Sequence, residues 1–263
     1  MSRSMVQFLY ENEDRMEELD YKPARCVWTL STGRAGSMWL LNLLNQFETV
    51  KAFHEPGPSL FFLNRLAVDH ELEWDQDQVK RMVREMRKPV VNAAYHRGQT
   101  MVDVSTHQTH LAFHLARAFP TSKFLHLVRD PREFVSSALP RHWYRYDNAK
   151  SHWWPRSVPY EEPWQRLIWY WDLTHSRALH VEKRHKTLRV MSRAMWTDTE
   201  TLNGLVFWLG VSDHELRYHA GTMAACQARP VNAGGKLNTA WDPAWDPFLR
   251  EVAGRTMDKL GIE

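Results

Sequence analysis

The amino-acid sequence predicts a single α/β domain with a central parallel sheet flanked by helices. Short β-like runs alternate with helical patterns along most of the chain, the rhythm that crossover connections impose on parallel strands. The first of these runs passes through a glycine-bearing turn directly into a helix. The chain has 263 residues, 43% of them hydrophobic and 25% charged, enough for one well-buried core, and no shift in composition forces a split.

Residues 1–24 are polar and acidic, with Glu11, Glu13 and Asp14 near their centre, and are expected to form an extension or a surface helix ahead of a domain spanning 25–263. Cys26 to Leu30 reads as the first strand, and Met38, Trp39, Leu40, Leu41, Leu43, Leu44 and Phe47 recur at helical spacing after it. Thr49 to Phe53 is the next strand. Helical patterns follow at Ser59 to His70 and Asp77 to Arg87, then a strand at Met101 to Val104, a helix at Thr109 to Phe119 and a strand at Lys123 to Val128. Pro131 stands where a helix would begin. Pro155, Pro159 and Pro163 break the region after that helix, so 141–163 is expected to be a lid or insertion before a long helix from Trp164 to Lys183. Leu188 to Met191 is a further strand. Asp198 and Gly210 mark the ends of one helix, and Asp246-Pro247 and Gly261 those of the last.

Charge excludes some functions. With 34 Lys+Arg against 31 Asp+Glu, the net charge is only +3, so no surface built for nucleic acid is expected. No run reaches the roughly 18 apolar residues of a membrane span. The N-terminus turns acidic before a signal-like apolar core develops, which points to a cytoplasmic protein. Cys26 and Cys226, the two cysteines, have no metal-ligand spacing and make no disulfide framework.

Two constellations carry chemistry. In Ser31-Thr32-Gly33-Arg34-Ala35-Gly36-Ser37, glycines free backbone N–H groups to point inward, and the helix starting near Ser37 adds its positive end: an anion cradle. The Walker A spacing is absent, because Gly33 and Gly36 lie too close together and Met38 replaces the magnesium-binding hydroxyl. The plain alternative is an ordinary strand-turn-helix connection. The second is Arg129-Asp130-Pro131 followed by Ser136-Ser137, where Arg129 and Ser137 both reach the carboxyl edge of the sheet and can grip one anion. Its plain alternative is an Arg-Asp ion pair at a strand end.

Together these segments closely resemble the nucleotide-binding signatures of the sulfotransferase family, and the resemblance extends from about Arg25 to Ile262. It implies a P-loop-NTPase-like fold and the donor 3′-phosphoadenosine 5′-phosphosulfate. It also implies that Thr32, Gly33, Arg34, Ala35, Gly36, Ser37 and Met38 hold the 5′-phosphosulfate. Arg34 falls in the place of the family's catalytic Lys/Arg, and Arg129 and Ser137 would bind the 3′-phosphate. Lys236, in the loop Arg229 to Asn238, falls where the family places a basic loop over that phosphate, although Arg-Lys-Gly is missing here.

An attacking hydroxyl or amine must lose a proton to a group within about 3 Å. Two residues qualify by resemblance. Glu55, in His54-Glu55-Pro56, is similar to the base of the bacterial and carbohydrate-directed branches, and His107 lies near the register of the cytosolic branch's histidine. Glu55 is favoured.

About half of the 13 tryptophans fall between Trp143 and Trp171. Trp164, Trp169 and Trp171 suit the packing of one helix on the core. Trp143, Trp153 and Trp154 suit equally the packing of a core or stacking against a small-molecule, lipid or carbohydrate acceptor. Sulfuryl transfer needs no bridging metal, so none is expected. Two other readings remain: an atypical nucleotide kinase on the same scaffold, and a non-catalytic binding protein that kept the nucleotide fold.

Overall fold

The computed structural model describes residues 25–69, 75–142, 155–228 and 239–263. Five parallel strands form the sheet: β1 (Cys26–Leu30), β2 (Val50–Phe53), β3 (Thr100–Asp103), β4 (Lys123–Val128) and β5 (Thr187–Met191), in the order β2-β3-β1-β4-β5. β1 is buried along its whole length, as a strand covered on both faces must be. Its residues divide between two cores. Cys26, Trp28 and Leu30 face one layer of helices, whereas Val27 faces the other.

The first layer holds α3 (Gln76–Tyr95), α4 (Ala112–Ala118) and one side of α6 (Pro163–Glu182). The second holds α1 (Ser37–Leu44), α8 (Thr199–Leu209) and Met223 of α10 (Ala220–Ala228). A third cluster joins α5 (Pro131–Ala138), α6 and α11 (Asp246–Leu260) beyond the carboxyl ends of the strands. Short helices α2 (Phe61–Asp69), α7 (Ala194–Thr197) and α9 (Asp213–Tyr218) complete the chain order. Among the described residues, no helix is long and apolar enough to cross a membrane.

Of the helix ends marked in the sequence, Pro131, Asp198, Gly210 and Gly261 stand as expected, the structure adds Asp130 as a cap, and the last helix opens at Asp246 without a side-chain cap. Asp130 accepts from Arg132 N with Pro131 in the first turn of α5, Asp198 accepts from Glu200 N, and Gly210 and Gly261 close α8 and α11 in left-handed conformations. Other elements differ from expectation. Helix α3 does not stop near Arg87 but runs through Pro89 to Tyr95. Val90, Val91 and Ala94 continue the buried stripe of Val79, Val83 and Arg87, and this packing offsets the hydrogen bond lost at proline. The helices α9 and α10, unread in the sequence, are short; α9 is opened by a capping box between Ser212 and Glu215.

Trp164, Trp169 and Trp171 pack in the third cluster, with Trp171 fully buried and Trp164 stacked on Trp245 at 5.2 Å. The packing reading holds for these three. Trp143, Trp153 and Trp154, most of the expected lid, Lys236 and the N-terminal extension lie outside the described residues.

Candidate functional site

The site begins where β1 ends. β1 is flanked by β3 and β4, while its successor β2 lies at the sheet edge beyond β3. Ligand crevices form outside the carboxyl ends of strands at such reversals of order. Within Ser31 to Ser37, Gly33, Arg34 and Gly36 have φ of 89°, 56° and 90°. Three left-handed residues in four positions curl the backbone, and the N–H groups of such a curl make an anion-binding concavity. For Arg34 this conformation costs about 1–3 kcal/mol, so the surroundings must hold it. Ser31 N donates to Thr109 Oγ1 over 3.1 Å, and Gly33 N donates to Ser31 Oγ over 3.3 Å. A Cβ on Gly36 would come within 2.6 Å of the Trp196 ring, so glycine is required there for space as well as for φ. Thr32 and Ala35 are buried, Ser37 nearly so, and Met38 is exposed at the start of α1.

Arg34 ties this loop to the tip of β4. Its Nε donates to Ser137 Oγ over 3.1 Å, and Arg129 Nη1 donates to the Arg34 carbonyl over 2.5 Å. Arg129 is held in turn by Glu133 at 3.2 Å and by Trp171 Nε1, which donates to its carbonyl over 2.8 Å. Arg141 donates to the Ser137 carbonyl and reaches Ser137 Oγ at 3.4 Å. Burial, then the positive charges of Arg141 and Arg129, pull the Arg34 guanidinium down to about 10. Two guanidinium groups on one hydroxyl, with Arg129 close enough to act on Arg34, are a standing repulsion that a bound anion relieves. The residues present therefore fit an anionic ligand.

The other side of the loop meets the candidate bases. Ser37 Oγ lies 3.3 Å from His54 Nε2, and Glu55 follows with φ of 49°. Glu55 N donates to Ser105 Oγ over 2.6 Å. Its carboxylate lies 3.9 Å from His107 Nε2 and 4.0 Å from His54 Nδ1. The two candidate bases therefore face each other. Burial, then the negative charge of Asp103, raise the Glu55 carboxyl above its ordinary range. His107 is buried, with Phe61 edge-on to its ring at 4.5 Å.

Beneath Glu55 lies a buried ion pair. Arg87 Nε is 3.2 Å from Asp103 Oδ2, both side chains being almost wholly enclosed. Arg87 also donates to the Pro58 carbonyl at 2.8 Å, and Asp103 Oδ1 accepts from Ser105 N at 2.9 Å. Gln108 Nε2 reaches the carbonyls of Thr29, Asp103 and Ser105, locking the ends of β1 and β3 together.

A family profile described as a sulfotransferase domain matches residues 25–189, more than half of the chain. The chain belongs to the sulfotransferase family. Solved structures of similar fold include the sulfotransferase domain of the Synechococcus PCC 7002 olefin synthase, at TM-score 0.54 and 16% identity over 94% of this chain and 98% of that one. Sulfotransferase STF9 from Mycobacterium avium aligns at TM-score 0.53 and 14% identity over 98% of this chain and 82% of its own. The sulfotransferase domain of the curacin biosynthetic pathway aligns at TM-score 0.51 and 13% identity over 92% and 98%. No curated protein sequence matches significantly.

The sulfotransferase fold thus brings Arg34, Arg129 and Ser137 to one side of the Ser31–Ser37 loop and Glu55 and His107 to the other. Sequence reasoning missed His54, Arg87, Asp103, Gln108 and the contact of Arg141 with Ser137. Asp103, at the end of β3, could have been found by asking which carboxylate balances Arg87, whereas Gln108, which bonds main-chain carbonyls, carried no such signal. His54 and Arg141 carried no local signal for their partners.

Proposed function

We propose that this sulfotransferase moves the sulfuryl group of 3′-phosphoadenosine 5′-phosphosulfate to a hydroxyl or amine of a small-molecule, lipid or carbohydrate acceptor by in-line displacement. One observation carries the reading: Arg34 of the β1 loop touches Ser137 while Arg129 of the β4 tip touches Arg34. Elements far apart in sequence thus meet, which supports one ligand touching both.

In this reading the amides from Gly33 to Met38, with the Thr32 and Ser37 hydroxyls, hold the 5′-phosphosulfate. Arg129 and Ser137 hold the 3′-phosphate. Thr239 N donates to Ser136 O over 2.9 Å, which anchors the described chain after residue 238 beside Ser137; Lys236, assigned by the family resemblance, adds a cation to the 3′-phosphate. Glu55 takes the acceptor proton as the new oxygen–sulfur or nitrogen–sulfur bond forms and the bond from sulfur to the phosphate oxygen breaks. Arg34 stabilises the charge collecting on that leaving oxygen, where a preorganised cation acts most strongly. His107, facing Glu55, orients its carboxylate.

The test is to incubate the protein with donor and a mixture of sugars, lipids and phenols, with and without chelator, and to seek sulfated product by mass spectrometry. Product in both conditions is expected. A protein that binds Mg-ATP tightly and ignores 3′,5′-adenosine bisphosphate is instead a kinase, and one that binds donor without turnover is a binding protein.

A further inference from the structure

We infer that Arg141 is a donor-binding residue that holds the 3′-phosphate together with Arg129 and Ser137. The inference rests on the reading of Arg129 and Ser137 given above and adds a ligand to that same site.

Ser137 lies in the last turn of α5, where carbonyl groups lack intrahelical partners and the potential is negative. Such a place is hostile to an anion. Arg141, one turn beyond, donates Nη1 to the Ser137 carbonyl and so cancels that potential at the residue whose hydroxyl must face a phosphate. The same nitrogen stands 3.4 Å from Ser137 Oγ, the atom that also receives Arg34 Nε at 3.1 Å. Two guanidinium groups, from loops 103 residues or more apart and from the helix end itself, converge on one hydroxyl.

Charge balance then selects the ligand. A phosphate monoester carries about 1.5 to 2 negative charges and three acceptor oxygens. Arg34 is committed to the leaving oxygen of the transferred group, and Arg129 is partly neutralised by Glu133 at 3.2 Å. Arg129 alone therefore leaves a half-buried dianion undercompensated, and Arg141 supplies the second cation on the side where Ser137 points. The lowering of the Arg34 guanidinium by Arg141, ahead of Arg129, places this charge within the same cluster.

The test compares two probes, 3′,5′-adenosine bisphosphate and adenosine 5′-monophosphate, by calorimetry on the full chain. Arg141→Ala is expected to weaken the bisphosphate about 10- to 100-fold, as loss of a charge-assisted hydrogen bond does, and to leave the monophosphate within about twofold. Arg141→Lys should restore part of the difference and guards against misfolding of the alanine variant. Unchanged bisphosphate affinity in both variants, with Arg129→Ala still weakening it, overturns the inference and leaves Arg141 as a helix cap. Equal affinity of the unmodified protein for the two probes overturns the 3′-phosphate reading itself, and this inference with it.

Discussion

Trp171 Nε1 donates to the main-chain carbonyl of Arg129 over 2.8 Å, so the fully buried indole of α6 fixes the backbone of the residue at the tip of β4. A neutral buried hydrogen bond contributes about 1 kcal/mol. Trp171→Phe keeps an aromatic side chain, removes the donor and, being smaller, leaves a cavity that also lowers stability. It is expected to raise KM for the sulfuryl donor roughly fivefold, as about 1 kcal/mol implies, with kcat nearly unchanged. Steady-state kinetics at saturating acceptor checks this, and a fall confined to kcat would count against Arg129 as a ground-state ligand.

Arg34→Ala should behave in the opposite way. One preorganised cation aimed at developing charge is worth about 3 kcal/mol, a hundredfold or more in kcat. Binding of 3′,5′-adenosine bisphosphate, measured by calorimetry, should change much less. Normal turnover in this variant would falsify the role assigned to Arg34.

The raised pKa of Glu55 gives two linked expectations. A base must be ionised, so the acid limb of kcat/KM should lie above the ordinary glutamate value of about 4.3. Folding has the converse dependence. Because the folded pKa exceeds the unfolded one, the charged carboxylate opposes folding above the folded pKa, and that opposition vanishes below the unfolded pKa. Glu55→Gln should therefore abolish transfer and raise Tm at pH 7 to 8, with no gain below pH of about 4. Retained activity would pass the role of base to His107.

The buried pair of Arg87 and Asp103 supports Glu55 from beneath, through Ser105 and through the Pro58 carbonyl. Removing one partner of such a pair strands a charge and costs about 3–5 kcal/mol, which for a domain of this size lowers Tm by about 10 °C. Arg87→Met alone should show that fall. Arg87→Met with Asp103→Leu should recover much of the stability but not the activity, because Ser105 loses its acceptor. Thermal melts and transfer assays on the three proteins separate the two effects.

Legibility in the sequence followed the range of the interaction. The Ser31–Ser37 loop and Arg129-Asp130-Pro131 were readable because glycines in a turn and a proline in the first helical turn act on their own neighbours. The same holds for the sheet, since each strand is a short apolar run between helical patterns. That the Ser31–Ser37 loop and Arg129 with Ser137 serve one nucleotide is what the resemblance implies, whereas the direct contact of Arg34 with Ser137 comes from the structure. The contacts of His54 with Ser37, Arg87 with Asp103 and Trp171 with Arg129 join residues that no local pattern relates. Helix α3 outran its sequence pattern because burial of Val90, Val91 and Ala94 overrides the proline between them and Arg87.

A second buried network lies behind Trp171 and contributes to the acid sensitivity of the fold. His175 packs on the Trp171 ring at 4.5 Å, its Nδ1 is 2.8 Å from His126 Nε2, and His126 Nδ1 is 2.6 Å from Glu182. With both rings neutral, His175 donates to His126 and His126 donates to Glu182. Burial raises the Glu182 carboxyl, but its hydrogen bonds from Arg189 and His126 outweigh this and hold it at about 2, so the acceptor stays ionised. Burial depresses both histidines, His175 most strongly. A depressed folded pKa means the unfolded chain binds the proton first, so stability is full above the unfolded value of about 6.5 and declines as pH falls below it. His175→Phe should cost about 1–3 kcal/mol at pH 8, where it leaves His126 Nε2 without its donor. It should also flatten the decline between pH 6.5 and 5, because one fewer buried site then resists protonation. Urea midpoints across that range provide the measurement, and an unchanged slope in the variant would assign the acid sensitivity elsewhere.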